Sequence, residues 1–143
     1  MKIEESIKKI RQYPKQVEKM TADSLKKNET VAAKLNVQQM EIGKRPDETW
    51  QEYYSPATQD WPGRVGDATG RIKLKDTGKF HESVLAKTKA RKNELLFTGD
   101  YVKDGTDLEY HYGPIFGLTK KNISKISEII FNDLIKGLKQ YFK

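Results

Sequence analysis

The last twenty-five residues constrain this chain more than any other stretch. Ile123, Ile126, Ile130, Leu134, Leu138 and Tyr141 recur at spacings of 3, 4, 4, 4 and 3. That repeat places one side chain per turn on a single face of an α-helix. Ile129, Phe131, Ile135 and Phe142 widen the stripe, and Thr119 is a natural N-cap. The pattern predicts an amphipathic helix over about 120–142, with Ile126, Ile130 and Leu134 in the core. A membrane-surface helix would carry the same pattern, but core packing is the expected role. A helix with a covered face needs other layers to cover it.

Those layers are legible upstream. Ile3, Ile7 and Ile10, then Val17, Met20, Val31 and Leu35, continue helical spacing, and Pro14 interrupts it because proline lacks the N–H of a helix interior. A short helix at about 3–12 and a longer one at about 15–36 are predicted. From 42 to 70 the periodicity disappears: this stretch holds three of the five prolines and four of the ten glycines, together with Trp50, Tyr53, Tyr54 and Trp61. Breakers at that density predict an irregular arm, and large aromatic rings in an arm must find something to cover them. The middle then reads as β. Residues 71–74 form a short strand candidate. Residues 82–90 alternate, with Val84, Ala86, Thr88 and Ala90 on one face and Leu85, Lys87 and Lys89 on the other. Residues 94–99 follow, and Asp104-Gly105 signals a hairpin leading to a strand at about 107–112. The expected architecture is a single α+β domain over 1–143: a helical region (1–41), an extended aromatic arm (42–70), an antiparallel sheet (71–118) and a C-terminal helix (119–143).

One tripeptide raises the question of chemistry. Asp76-Thr77-Gly78 matches the active-site signature of aspartic proteases, which a chain this short would complete only as a dimer. Such enzymes need two carboxylates sharing a proton in dry surroundings. Here Lys75 and Lys79 flank the tripeptide, and Arg71 and Lys73 precede it, so the ordinary ionised carboxylate is favoured. The better reading is a turn, with Gly78 at positive φ. The only histidines are His81 and His111, too few and too isolated for a metal site. His81 and Ser83 lack an oriented third group, and "GRVGDATG" has no phosphate-loop spacing. No catalytic, cofactor-binding or metal-ligating residue is expected.

Charge bears on partners. The net charge is +7, and it is distributed in blocks. Residues 47–70 carry one basic and five acidic groups, whereas residues 71–92 carry eight basic and two acidic groups. A basic surface suits nucleic acid, lipid or an acidic protein neighbour. The aromatic residues fall in the acidic block, not among the basic strands where stacked bases would need them. With no cysteine, no apolar leader at the N-terminus and no long apolar run, a soluble, intracellularly made protein is expected.

A wider pattern joins these parts. "RPDETWQEYYSPAT" followed by "IKLKDTGKFHESV" resembles the tailed-phage virion-morphogenesis, or tail-completion, family. The first motif is carried by Trp50, Tyr54, Ser55 and Thr58, and the second by Leu74, Thr77, Gly78, Phe80, Ser83 and Val84. "YHYGPIFGLTKKN" adds Tyr112, Gly113, Phe116, Gly117 and Leu118 before the last helix. The chain departs from the family pattern in having one extra residue between Trp50 and Tyr54, and in lacking a basic run between the two motifs. The resemblance implies a non-enzymatic head–tail joining or tail-completion protein of the virion neck, made in the host bacterial cytoplasm. It would have no cofactor and would form a ring, commonly sixfold, against portal-side connector and tail-tube proteins. Trp50, Tyr53, Tyr54 and Trp61 are then the candidate assembly contacts. A basic nucleic-acid-binding domain, or a dimeric protease built on Asp76, are the alternatives.

Overall fold

The computed structural model describes residues 2–59, 70–75, 77–89, 93–103 and 105–143. The chain is α+β, with long helices at both ends. Helix α1 spans Ile3–Lys27 and α2 spans Glu29–Glu41; the single turn α3 (Pro56–Gln59) lies in the arm. Helix α4 (Lys79–Ser83) leads into strands β1 (Leu85–Lys89) and β2 (Glu94–Thr98). Strands β3 (Val102–Lys103) and β4 (Thr106–Asp107) precede α5 (Leu108–Tyr112), and α6 (Lys120–Tyr141) closes the fold.

The N-terminal helices do not break at Pro14, as the sequence suggests, but at Asn28. Pro14 lies on the exposed side of α1, where water can satisfy the carbonyl that its missing N–H leaves free. At Asn28 the side-chain Nδ2 donates to the Ser24 carbonyl at 2.8 Å, the local competition with backbone that makes asparagine a helix terminator. The same corner grips α6. Ser24 Oγ donates to Asp133 Oδ2 at 2.6 Å, and Asn28 Nδ2 reaches the same oxygen at 3.5 Å. At the other end Lys9 Nζ donates to the Tyr141 carbonyl and Tyr141 Oη to the Lys9 carbonyl, both at 2.8 Å. Helices α1 and α6 are thus an antiparallel pair. Gly137 lets them approach, since a Cβ there would lie 2.9 Å from Met20 Sδ.

The region expected as one sheet is built differently. β1 and β2 pair antiparallel, from Leu85 opposite Thr98 to Lys89 opposite Glu94, and β3 and β4 form a separate two-stranded sheet. The predicted strand at 71–74 is absent: Arg71 makes one bridge with Tyr53, and Leu74, at φ 57, turns the chain away. The strand predicted over 82–90 starts at Leu85, because residues 79–83 form α4. Its alternation holds, with Ala86 buried and Leu85, Lys87 and Lys89 exposed; Ala90 lies outside the described residues. The Asp104-Gly105 hairpin falls between β3 and β4, with Gly105 at φ 78 and Asp104 outside the described residues. The strand predicted over 107–112 is instead α5, because Asp107 Oδ1 accepts from Tyr110 N at 3.1 Å and caps a helix.

Helix α2 is the centre. Met40 joins Phe80, Val84, Leu108 and Ile115 in one apolar cluster, while Ala32 and Ala33 join Ala86 and Ile126 in another. Of the residues expected inside, Ile126 is 5% exposed, and Ile130 and Leu134 are half-buried. Ile126→Ala should therefore cost about 2–5 kcal/mol, read as a lowered urea midpoint with unchanged slope. Ile123→Ala, on the exposed side of α6, should stay within about 0.5 kcal/mol.

Candidate functional site

The arm begins where α2 ends. Gly43, at φ 75, turns the chain against Arg71, whose Cβ a side chain at residue 43 would strike. The chain then folds back on itself: Arg45 N donates to the Thr49 carbonyl at 2.8 Å and Gln51 N to the Gly43 carbonyl at 2.7 Å. Asp47 Oδ1 accepts from Thr49 N at 3.0 Å and so shapes the tip. Beyond it, Ile72 N donates to the Glu52 carbonyl at 2.8 Å and Tyr54 N to the Gly70 carbonyl at 3.1 Å. Two short return segments thus lie end to end, both irregular, as the prolines and glycines require.

Arg45 holds this construction together. Its Nε donates to the Tyr112 carbonyl at 2.7 Å, NH1 to the Trp50 carbonyl at 2.6 Å, and NH2 to Gln51 Oε1 at 3.0 Å. Gln51 is buried and sends Nε2 to the same Tyr112 carbonyl at 3.0 Å. Gly113 must be small here, since a Cβ would lie 3.0 Å from Arg45 Nε. The planar fork of arginine suits three acceptors in fixed directions. The arm is therefore stapled to α5 through one guanidinium.

Gln51 turns inward while the rings on either side of it are exposed. Trp50 is 47% exposed and Tyr53 65% exposed. Arg71 lies over both rings, 5.1 Å from the Trp50 centroid and 4.5 Å from that of Tyr53, and its NH1 donates to the Gln51 carbonyl at 2.7 Å. Lys44 Nζ approaches Trp50 at 5.0 Å. Cations over ring faces fix the orientation of rings that no core holds. Tyr54 is half-buried and its hydroxyl accepts from Lys73 N at 2.9 Å. A hollow of about 380 Å³ opens beside the arm, lined by Tyr53, Tyr54, His111 and Tyr112. Trp61, the fourth predicted contact, lies outside the described residues.

Two of the arm's acids, Asp47 and Glu48, are engaged within the chain. Glu48 Oε1 accepts from Lys120 N at 2.7 Å, at the start of α6, and its other oxygen meets Lys44 Nζ at 3.1 Å. These bonds, the Lys120 amide foremost, hold the Glu48 carboxyl below its ordinary range.

The second motif closes a turn into the core. Thr77 Oγ1 accepts from Lys79 N at 3.4 Å, and Gly78, at φ 88, starts α4. Phe80 and Val84 are buried in the cluster with Met40, against which Leu74 packs. Ser83 Oγ donates to the Phe80 carbonyl at 2.6 Å and accepts from Asp100 N at 2.9 Å. Ser83 is thus tied to backbone, and His81 points elsewhere, its Nε2 donating to the Lys73 carbonyl at 2.8 Å. Asp76 lies outside the described residues. Among the described residues no group of three acidic, histidine or cysteine side chains is placed to hold a metal, and no helix is long and apolar enough to cross a membrane.

Arg45, Gln51 and Arg71 are the residues that sequence reasoning missed. The one signal for Gln51 was its place between two outward residues in an extended segment. Comparison with protein-family models, with curated proteins and with solved structures finds no match to this chain.

Arg45→Lys should cost about 1–3 kcal/mol, because a lone ammonium cannot serve the same acceptors. Amide hydrogen exchange should accelerate over residues 49–54 before it does in α2. Burial lowers the His81 pKa from its ordinary 6.5, more than the Lys73 carbonyl raises it. The unfolded chain then takes up a proton that the folded chain refuses. The stability present above pH 6.5 should be lost as pH falls through the lower folded value. Chemical denaturation across that window should show the loss, and His81→Gln should flatten it.

Proposed function

We infer that this protein is a non-enzymatic assembly component, a head–tail joining or tail-completion protein of a tailed phage that works as one subunit of a ring. The observation that carries the reading is the pair Trp50 and Tyr53. Two large rings are held in fixed orientation by Arg71 and Lys44, on a loop pinned by Arg45, and remain about half open to solvent. Pre-oriented aromatic rings lose little freedom on docking and tend to dominate the energy of an interface. The motif residues that carry the family resemblance support the same reading, since Thr77 and Gly78 form a turn and Phe80 and Val84 plug the core. A subunit contact of roughly 800 Å² per partner would be sufficient for a stable ring. Its partners are copies of itself, the portal-side connector and the tail tube, and its site of action is the virion neck.

A second reading is favoured by one detail: Lys44 and Arg71 lie over the exposed rings. Rings beside Lys44 and Arg71 could stack unpaired bases.

Sedimentation and native mass measurement of the purified chain, alone and with head connectors, separate these readings. The wild-type chain should form or join a ring, and Trp50→Ala combined with Tyr53→Ala should leave a folded monomer that does neither. Assembly unchanged in that variant, or arm crosslinks confined to single chains in an assembled particle, would overturn the proposal. Salt-steep binding of a single-stranded oligonucleotide, lost in the same variant, would favour the second reading.

A further inference from the structure

Helix α1 outruns the elements that cover it. Its Lys9, Tyr13, Met20 and Ser24 meet Tyr141, Phe142, Gly137 and Asp133 at the C-terminal end of the chain. Since α6 ends at Tyr141, residues 3–8 run on beyond its last turn.

About a quarter-turn round from the α6 side, Ile3, Ile7, Ile10 and Pro14 line one face of α1 at spacings of 4, 3 and 4. The same face continues inward as Val17, Thr21 and Leu25, and there it is covered: Leu25 is buried, and Val17 and Thr21 are half-buried. Over the first three turns it is bare. Ile3, Ile7 and Ile10 are all exposed, Ile3 by 78%. Tyr13 and Phe142, with ring centroids 6.0 Å apart, are exposed as well and extend the apolar patch along its α6 side. Single exposed apolar residues need no account, but a contiguous patch marks a contact site.

The other edge of the stripe is charged. Glu4 and Arg11 lie seven residues, or two turns, apart on the side away from α6. Neither has a partner among the described residues. An edge of uniform positive charge would suit anionic lipid or nucleic acid. An edge with an acid at one end and a base at the other is complementary to itself turned end for end.

We propose that residues 3–14 of α1 pair antiparallel with the same residues of a second copy, about a two-fold axis level with Lys8 and Lys9. In that register Ile7 packs against the partner's Ile10 and Ile3 against the partner's Pro14, each contact occurring twice. Glu4 then faces the partner's Arg11, also twice. A parallel pair would set Arg11 against Ser6 and leave Glu4 unmatched. The overlap stops at Pro14 because from Val17 onward each stripe passes beneath its own domain, and the antiparallel arrangement sends the two domains to opposite ends. Twelve residues make about 18 Å of helix, which buries less than the roughly 800 Å² per partner of a standard interface. The dimer is accordingly weak, with a Kd of about 10–500 µM. No residue of the aromatic arm takes part, so the inference does not rest on the proposed ring contact.

The test uses the full chain carrying Trp50→Ala and Tyr53→Ala, which removes the proposed ring contact and keeps the two questions apart. Sedimentation equilibrium up to about 1 mM should show monomer and dimer with a Kd in that range. Ile7→Gln with Ile10→Gln should weaken the dimer about tenfold or more, with unchanged helical circular dichroism. Glu4→Arg and Arg11→Glu should each weaken it about threefold or more. The chain carrying both reversals should regain the original affinity, and a mixture of the two single variants should form mixed dimers in preference to either alone. A monomer throughout, a dimer indifferent to the glutamines, or a double reversal that restores nothing would overturn the proposal. So would a monomer that sediments with phosphatidylglycerol vesicles until Ile7 and Ile10 are replaced, which would assign the stripe to a lipid surface.

Discussion

The fold rests on two side-chain amides in the middle of α2. Asn36, with 0% of its surface exposed, donates to the Ile115 carbonyl at 2.9 Å and accepts from Gly117 N at 3.2 Å. One turn later Gln39 donates to the Gly117 carbonyl at 2.9 Å and accepts from Thr119 N at 2.9 Å and from Asn122 Nδ2 at 2.6 Å. Residues 115–119 are irregular, and their polar backbone groups lie among buried neighbours. The two amides supply what a neighbouring strand would have supplied. Without them, burial of this connection would cost on the order of 1–3 kcal/mol for each unmet group.

Much else follows from that contact. It sets where α6 starts, because Thr119 is both a partner of Gln39 and the N-cap of α6. It places Ile115 and Phe116 against Phe80 and Leu118 against Ala33's cluster. It also brings α5 to the end of α2, where Arg45 can reach the Tyr112 carbonyl. The arm is thus positioned by α2 twice, once through the turn at Gly43 and once through the connection that its amides hold.

The sequence made the ends of the chain readable and the centre hard to read. Helix α6 was plain because a six-member apolar stripe has one regular solution, and the alternation in β1 was plain for a similar reason. Helix α2 gave a blurred signal since it is covered on several sides, and its most consequential residues are polar. Asn36 and Gln39 look like surface residues until their partners, some eighty residues away, are known. The helix break was misplaced because Pro14 sits where water forgives it, whereas Asn28 acts through a contact with α6. The arm's aromatics were identifiable from composition, but their orientation depends on Arg45 and Arg71, which look like ordinary surface cations. Likewise residues 107–112 read as strand because Asp107 suits a hairpin flank and a helix cap equally well.

The pairing of α1 with α6 has a mechanical side. Its polar clasps, Lys9 with Tyr141 and Ser24 with Asp133, sit fifteen residues apart on α1, about 22 Å along the axis. A slide by one turn would break both at once and drive the Met20 thioether off the notch at Gly137. The two helices cannot creep past each other in small steps. They are clasped at both ends of their contact, so sliding one along the other has to break both clasps together.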